Sequence, residues 1–171
     1  TYLPDGRVIA ISNIGYQGVP CVNGSDAVGN MVLYDPKDKS MRRLTFDQDA
    51  NWNPVIMNNG RVMYTRWEYT DLTHYYSRIV MHMNPDGTEN KALYGSGAMF
   101  PNSTFDVQPL PGHGSAFVGI ISGHHGVARS GRMIIFDPTK GRKSTAGMVQ
   151  EIPHRNRPIK EEIKDQLVNG V

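Results

Sequence analysis

The sequence predicts an all-β chain: a β-propeller fragment of about three four-stranded antiparallel blades, from a six-bladed parent. A strand-like motif returns twice at a fixed step, two further strand-like elements follow every copy, and turn residues punctuate the boundaries. The motif is Gly6–Ile11, then Gly60–Thr65, then more loosely Gly114–Gly119, at steps of 54 residues. The second element is Met31–Pro36, Ile79–Pro85 and Met133–Pro138, and the third is Met41–Phe46, Asn90–Tyr94 and Gly147–Ile152. A further candidate strand precedes the second and third copies, at Trp52–Met57 and Phe105–Leu110.

Each element is short, rich in Val, Ile, Tyr and Phe, and bounded by Gly, Pro, Asn or Asp, which is the composition of strands. Pro4-Asp5-Gly6, Asn58-Asn59-Gly60 and Pro85-Asp86-Gly87 supply the residues that tolerate positive φ in tight hairpin turns. The blades run over about 1–46, 47–95 and 96–152. Three blades leave a ring open, and open blade edges expose backbone groups and apolar faces. The chain is therefore expected to be an internal piece of a larger propeller, or a half that pairs with another half. The polar stretch 153–171, with a short helical pattern at Ile159–Val168, reads as a connection towards the next blade.

Composition narrows the classes. With 18 Gly and 11 Pro in 171 residues, the chain is too punctuated for a helical bundle; at 39% hydrophobic it is too apolar for disorder. The longest apolar run, Ala116 to Ile121 counting Gly119, predicts no transmembrane helix. A net charge of +2, with no aromatic-interleaved basic face, argues against a nucleic-acid partner. One cysteine, Cys21, excludes an internal disulfide framework and a four-cysteine zinc site, and there is no Cys-x-x-Cys-His haem attachment motif.

In an up-and-down meander, alternate turns share one face of the disc, and here the two faces differ. One face receives short turns: Asn58–Gly60, Pro111–Gly114, Asp35–Lys39, Pro85–Thr88 and Asp137–Gly141. The other receives the long loops Asn13–Asn30, Arg66–Ser77 and Ser122–Gly131, with the connections Asp47–Asn51 and Gly95–Thr104. Long loops on a rigid scaffold are where binding and catalysis concentrate. They carry most of the chemically capable residues.

Cys21, His74, His124 and His125 are candidate ligands for zinc or iron, by donor type and without a local spacing motif. Glu68, Asp71 and His74 are candidates for acid–base catalysis. Arg66, Trp67, Tyr75, Tyr76 and Arg129 are candidates for binding. Each has a plainer reading: a buried thiol for Cys21, backbone and water bonding for the histidines, and a partner for Arg66 in the case of Glu68. Trp67 and the tyrosines could pack under the loops. His82, alternating with Met81 and Met83, reads as a structural histidine, and His113 as a turn residue on the opposite face. No phosphate-binding glycine loop, Gly-x-Ser-x-Gly elbow or His-Glu-x-x-His is present.

The Pro4-Asp5-Gly6-Arg7 and Leu33-Tyr34-Asp35 pattern resembles the WD40-like repeat of TolB-type bacterial propellers. Longer stretches resemble the propeller region of the hydrazine synthase alpha subunit family. They are Tyr64–Asp71, His82–Thr88, Phe100–Ser103, Val118–Gly126, Phe136–Gly141 and Asp165–Gly170. That resemblance spans essentially the whole chain. It implies a scaffold domain of a redox complex, with a metal ion or haem in the parent protein and a periplasmic or cell-envelope location. The implied partners are the remaining blades and domains of the parent and other subunits. Two other readings stay open: a non-enzymatic TolB-like binding propeller, and the propeller domain of a multidomain hydrolase.

Overall fold

The computed structural model describes residues 1–68, 78–95, 103–122, 131–142 and 145–153. Those residues form eleven strands in chain order. They are β1 (Val8–Ser12), β2 (Asn30–Asp35), β3 (Ser40–Arg43), β4 (Asn51–Ile56), β5 (Val62–Trp67) and β6 (Arg78–Met83), then β7 (Lys91–Tyr94), β8 (Ser103–Pro109), β9 (Phe117–Ser122), β10 (Arg132–Phe136) and β11 (Met148–Ile152). Short 3₁₀ turns at Pro20–Val22 and Thr145–Gly147 are the only helical elements among the described residues. No helix among them is long and apolar enough to cross a membrane.

The strands form successive antiparallel meanders. β1-β2-β3 is a three-stranded sheet; β4 to β7 and β8 to β11 are four-stranded. A single parallel bridge, Arg78 to Ser103, joins the latter two into one eight-stranded sheet. The first meander has three strands among the described residues, and Thr1–Leu3 lies along its inner edge, through the Tyr2–Val8 bridge and the Leu3 N–H donating to Arg7 C=O at 2.8 Å.

The turns that start these meanders follow one plan. Met57 and Gly60 close a loop with Arg61, as Leu3 and Gly6 do with Arg7, and each Gly has φ near +80 to +90°. Asp5 and Asn59 each accept the backbone N–H two residues on, at 3.0 and 3.1 Å. A type I turn followed by a left-handed residue gives the twist that matches the flanking strands. The third copy differs. There Leu110 bonds Ala116, across a turn two residues longer, so Ala116 takes the place of Arg61. The sequence alignment of Gly60 with Gly114 is therefore one residue out of register, which in a strand moves every side chain to the other face.

Two apolar cores lie between the meanders. Ile9, Met31, Leu33 and Leu44 of the first pack on Val62, Tyr64, Ile79, Met81 and Met83 of the second. Met57, Met63, Val80, Leu93 and Tyr94 of the second pack on Val107, Phe117, Ile121, Ile134 and Phe136 of the third. Alternation within β5 explains the division: Val62 and Tyr64 point to one neighbour and Met63 to the other. Tyr94 stacks on Phe136 with ring centroids 4.4 Å apart, and burial pushes its hydroxyl pKa up to about 12.

Candidate functional site

Polar residues gather at one end of the strands, where the long connections leave the sheets. Asn30, Thr45, Asp49, Asn51, Thr65, Ser103, Thr104, Ser122 and Arg132 are all buried there. Buried polar groups need partners: from the connection between β3 and β4, Asp47 C=O accepts from Asn30 Nδ2 at 3.4 Å and Asp49 C=O from Asn51 Nδ2 at 3.3 Å. Asn51 N–H donates to Gly29 C=O at 2.8 Å, Trp67 N–H to Ala50 C=O at 3.0 Å, and Gln17 Nε2 to Gln48 C=O at 3.2 Å. The Thr45 hydroxyl accepts the Met31 N–H at 2.9 Å, and Arg43 Nε donates to Thr45 C=O at 2.7 Å. Segment 44–51 is thereby fastened to the first and second meanders together.

Arg66, near the end of β5, is the electrostatic centre of this end. Its Nη2 lies 2.7 Å from Glu68 Oε2, and its Nε lies 3.1 Å from Asp47 Oδ1. The second contact is a charge contact without hydrogen-bond geometry, and Asp47 Oδ2 is buried with no hydrogen-bond partner among the described residues. Below them, burial raises the Tyr64 hydroxyl pKa, and the nearby Asp47 charge raises it further. A tyrosine so placed stays neutral.

An aromatic group adjoins this cluster. Trp52 and Trp67 stack with centroids 6.1 Å apart, and the Arg78 guanidinium lies 4.4 Å from the Trp67 ring and 5.8 Å from the Trp52 ring. Val19 and Val28, from the loop between β1 and β2, pack on Trp67. Further along, Arg132 and Glu151 form an ion pair with side chains only 5% and 8% exposed.

Of the sequence candidates, Arg66 and Glu68 form an ion pair at this end, and Trp67 stacks on Trp52 beside Arg78. Cys21 has its backbone in the 3₁₀ turn Pro20–Val22. Asp71, His74, Tyr75, Tyr76, His124, His125 and Arg129 lie outside the described residues, as does the helical pattern at 159–168. Among the described residues, no three His, Cys, Asp or Glu side chains converge as a metal site.

These are β-propeller blades. The tricorn protease, known from its crystal structure, is similar in fold: the TM-score is 0.51 at 14% identity, over 91% of this chain and 13% of that one. At that identity the likeness concerns the fold alone. No protein-family model and no curated protein matches the chain.

Within the propeller frame, a second set of polar residues escaped the sequence reading. The innermost strands β4 and β8 both bulge, at Asn53 and Asp106, each with φ near +50°. Asn53 Nδ2 donates directly to the Asp106 carboxylate, joining the two blades at their inner edges. Asn and Asp tolerate left-handed backbone better than other non-glycine residues. Their recurrence at the same place in Trp52–Met57 and Phe105–Leu110 was the available signal. Asp47, Asn51 and Arg78 were missed as individuals because their importance comes from neighbours distant in sequence.

Proposed function

We propose that the chain is a propeller scaffold within a larger protein or complex, and that its loop-bearing face contributes to a binding site linked to a metal or redox centre. The observation that carries the scaffold reading is the division of chemistry between the two faces. One end of the blades has compact turns closed by backbone and Asx bonds. The other has a polar floor built on Asp47, Asn51, Arg66 and Glu68 and flanked by the Trp52, Trp67 and Arg78 group.

The metal or redox part of the proposal rests on the resemblance to the hydrazine synthase alpha subunit family and on the donor types in the loops. Asp47 and Glu68 are engaged with Arg66, so a metal would be held by Cys21, His74, His124 and His125. In this reading Arg129 would hold anionic groups, Arg66 and Glu68 being each other's partners; Trp67, Tyr75 and Tyr76 would line the binding surface, and Asp71 and His74 would handle protons. The six-bladed parent and a periplasmic or cell-envelope location belong to the same proposal.

The test is elemental analysis and visible absorption of the protein purified without chelator. Stoichiometric iron, zinc or haem that is lost in His74→Ala or His124→Ala supports the metal-linked site. A colourless, metal-free protein overturns it and leaves a propeller that binds a peptide or partner protein.

A further inference from the structure

Segment 44–51 carries a second pattern besides the backbone bonds that fasten it. Asp47-Gln48-Asp49-Ala50-Asn51 puts an oxygen-bearing side chain of the same short length at every second position. Calcium loops present their first three ligands with this Asp-x-Asp-x-Asn spacing, because alternate residues of a bent chain can turn towards one ion. The remainder of an EF-hand loop is not present in the sequence. Trp52 stands where such a loop has glycine, and the chain runs directly into β4.

Burial gives an independent observation. Asn51 is completely buried, its Nδ2 donates to Asp49 C=O at 3.3 Å, and its Oδ1 has no hydrogen-bond partner among the described residues. Asp47 Oδ2 is in the same condition, the Arg66 contact being to Oδ1. The two oxygens share one neighbourhood. Asn51 lies directly opposite Arg66 across β4 and β5, so both side chains stand on one face, and Arg66 Nε lies 3.1 Å from the Asp47 carboxylate. Asp49, between them in sequence, is buried as well.

A buried acceptor without a donor costs free energy, and a carboxylate oxygen costs most. A bound cation removes that cost for both oxygens together. The charge has the right sign, since Glu68 also answers Arg66 and the group keeps a negative excess. Carboxylate and carboxamide oxygens select a hard cation, not the zinc or iron suited to thiol and imidazole. Calcium takes about six to eight oxygens in flexible geometry, whereas magnesium demands a near-ideal octahedron.

We propose that Asp47, Asp49 and Asn51 hold a calcium ion that pins the connection between the first and second blades beneath the loop-bearing face. The site draws on none of Cys21, His74, His124 and His125, so it stands whatever those residues bind. With few carboxylates, its dissociation constant is expected on the order of 10⁻⁴–10⁻³ M.

The test is terbium luminescence of the full 171-residue chain, with terbium standing in for calcium. Trp52 follows Asn51 directly and stacks on Trp67, so exciting the two tryptophans should sensitise an ion bound there. Emission is expected to saturate at one ion per chain and to be displaced by calcium. Asp47→Asn should need about tenfold or more terbium, while Asp38→Asn, which alters an exposed carboxylate on the turn face, should bind as the parent does. Circular dichroism checks that both variants fold. A second readout needs no variant: Tm should rise by about 3 °C or more in about 10 mM calcium chloride relative to EGTA at equal ionic strength. Emission unchanged in Asp47→Asn overturns the proposal. So does the absence of sensitised emission with a Tm indifferent to calcium, which would mean that buried water satisfies these oxygens.

Discussion

His82 shows how a residue with an eye-catching side chain can be structural. It lies on β6, and its Nδ1 accepts from Arg61 Nε at 2.8 Å, so the ring is neutral with its proton on Nε2. Arg61 is itself fixed by Asn84 Oδ1 at 2.6 Å and Glu89 C=O at 2.7 Å. Burial first, and then the charges of Arg61, Arg142 and Lys91, hold the His82 pKa below its ordinary 6.5. The unfolded chain therefore binds this proton more readily than the folded one. Stability is full above pH 6.5 and falls with pH between 6.5 and the lower folded-state pKa. Thermal melts across that interval should show the decline, and His82→Gln should flatten it; an unchanged slope would remove His82 as its source. The strand alternation of His82 with Met81 and Met83 was legible in sequence, but its guanidinium partner, 21 positions away, was not.

At the scale of elements, a turn decides what a strand buries. The third inner turn holds two more residues than the second, and Phe117, not Ala116, takes the place of Val62. Motif matching could not find that shift, because Gly114-Ser115-Ala116 imitates the earlier Gly-Arg-Val closely enough to align. Phe136 depends on this register: it pairs with Phe117, stacks on Tyr94 and is completely buried. Phe136→Ala should destabilise the fold by about 3–5 kcal/mol through lost burial and the cavity left behind. Chemical denaturation would measure it, and a loss below about 1 kcal/mol would contradict the tight packing described for this seam.

For the whole molecule, the seams between blades depend on side chains more than on backbone. The second and third blades share a single parallel bridge, and the first belongs to a separate sheet. Their cohesion comes from the two apolar cores, with polar links at the rims such as Arg42 Nη2 donating to Asp86 C=O at 2.9 Å and Asn58 Nδ2 donating to His113 C=O at 3.0 Å. Blades stacked in this way are stabilised mainly by their nearest neighbours, so the outer two are the weakest.

The sequence by itself determined the strand inventory, the turn chemistry and the unequal faces of the blades, because period-two alternation and positive-φ turn residues act within a few positions of the chain. Only the tertiary structure decided the register of the third blade, the two inner bulges joined by Asn53 and Asp106, and the meeting of Arg66 with Asp47. Those depend on contacts between residues far apart in sequence, where packing across a seam, and not local preference, selects the partner.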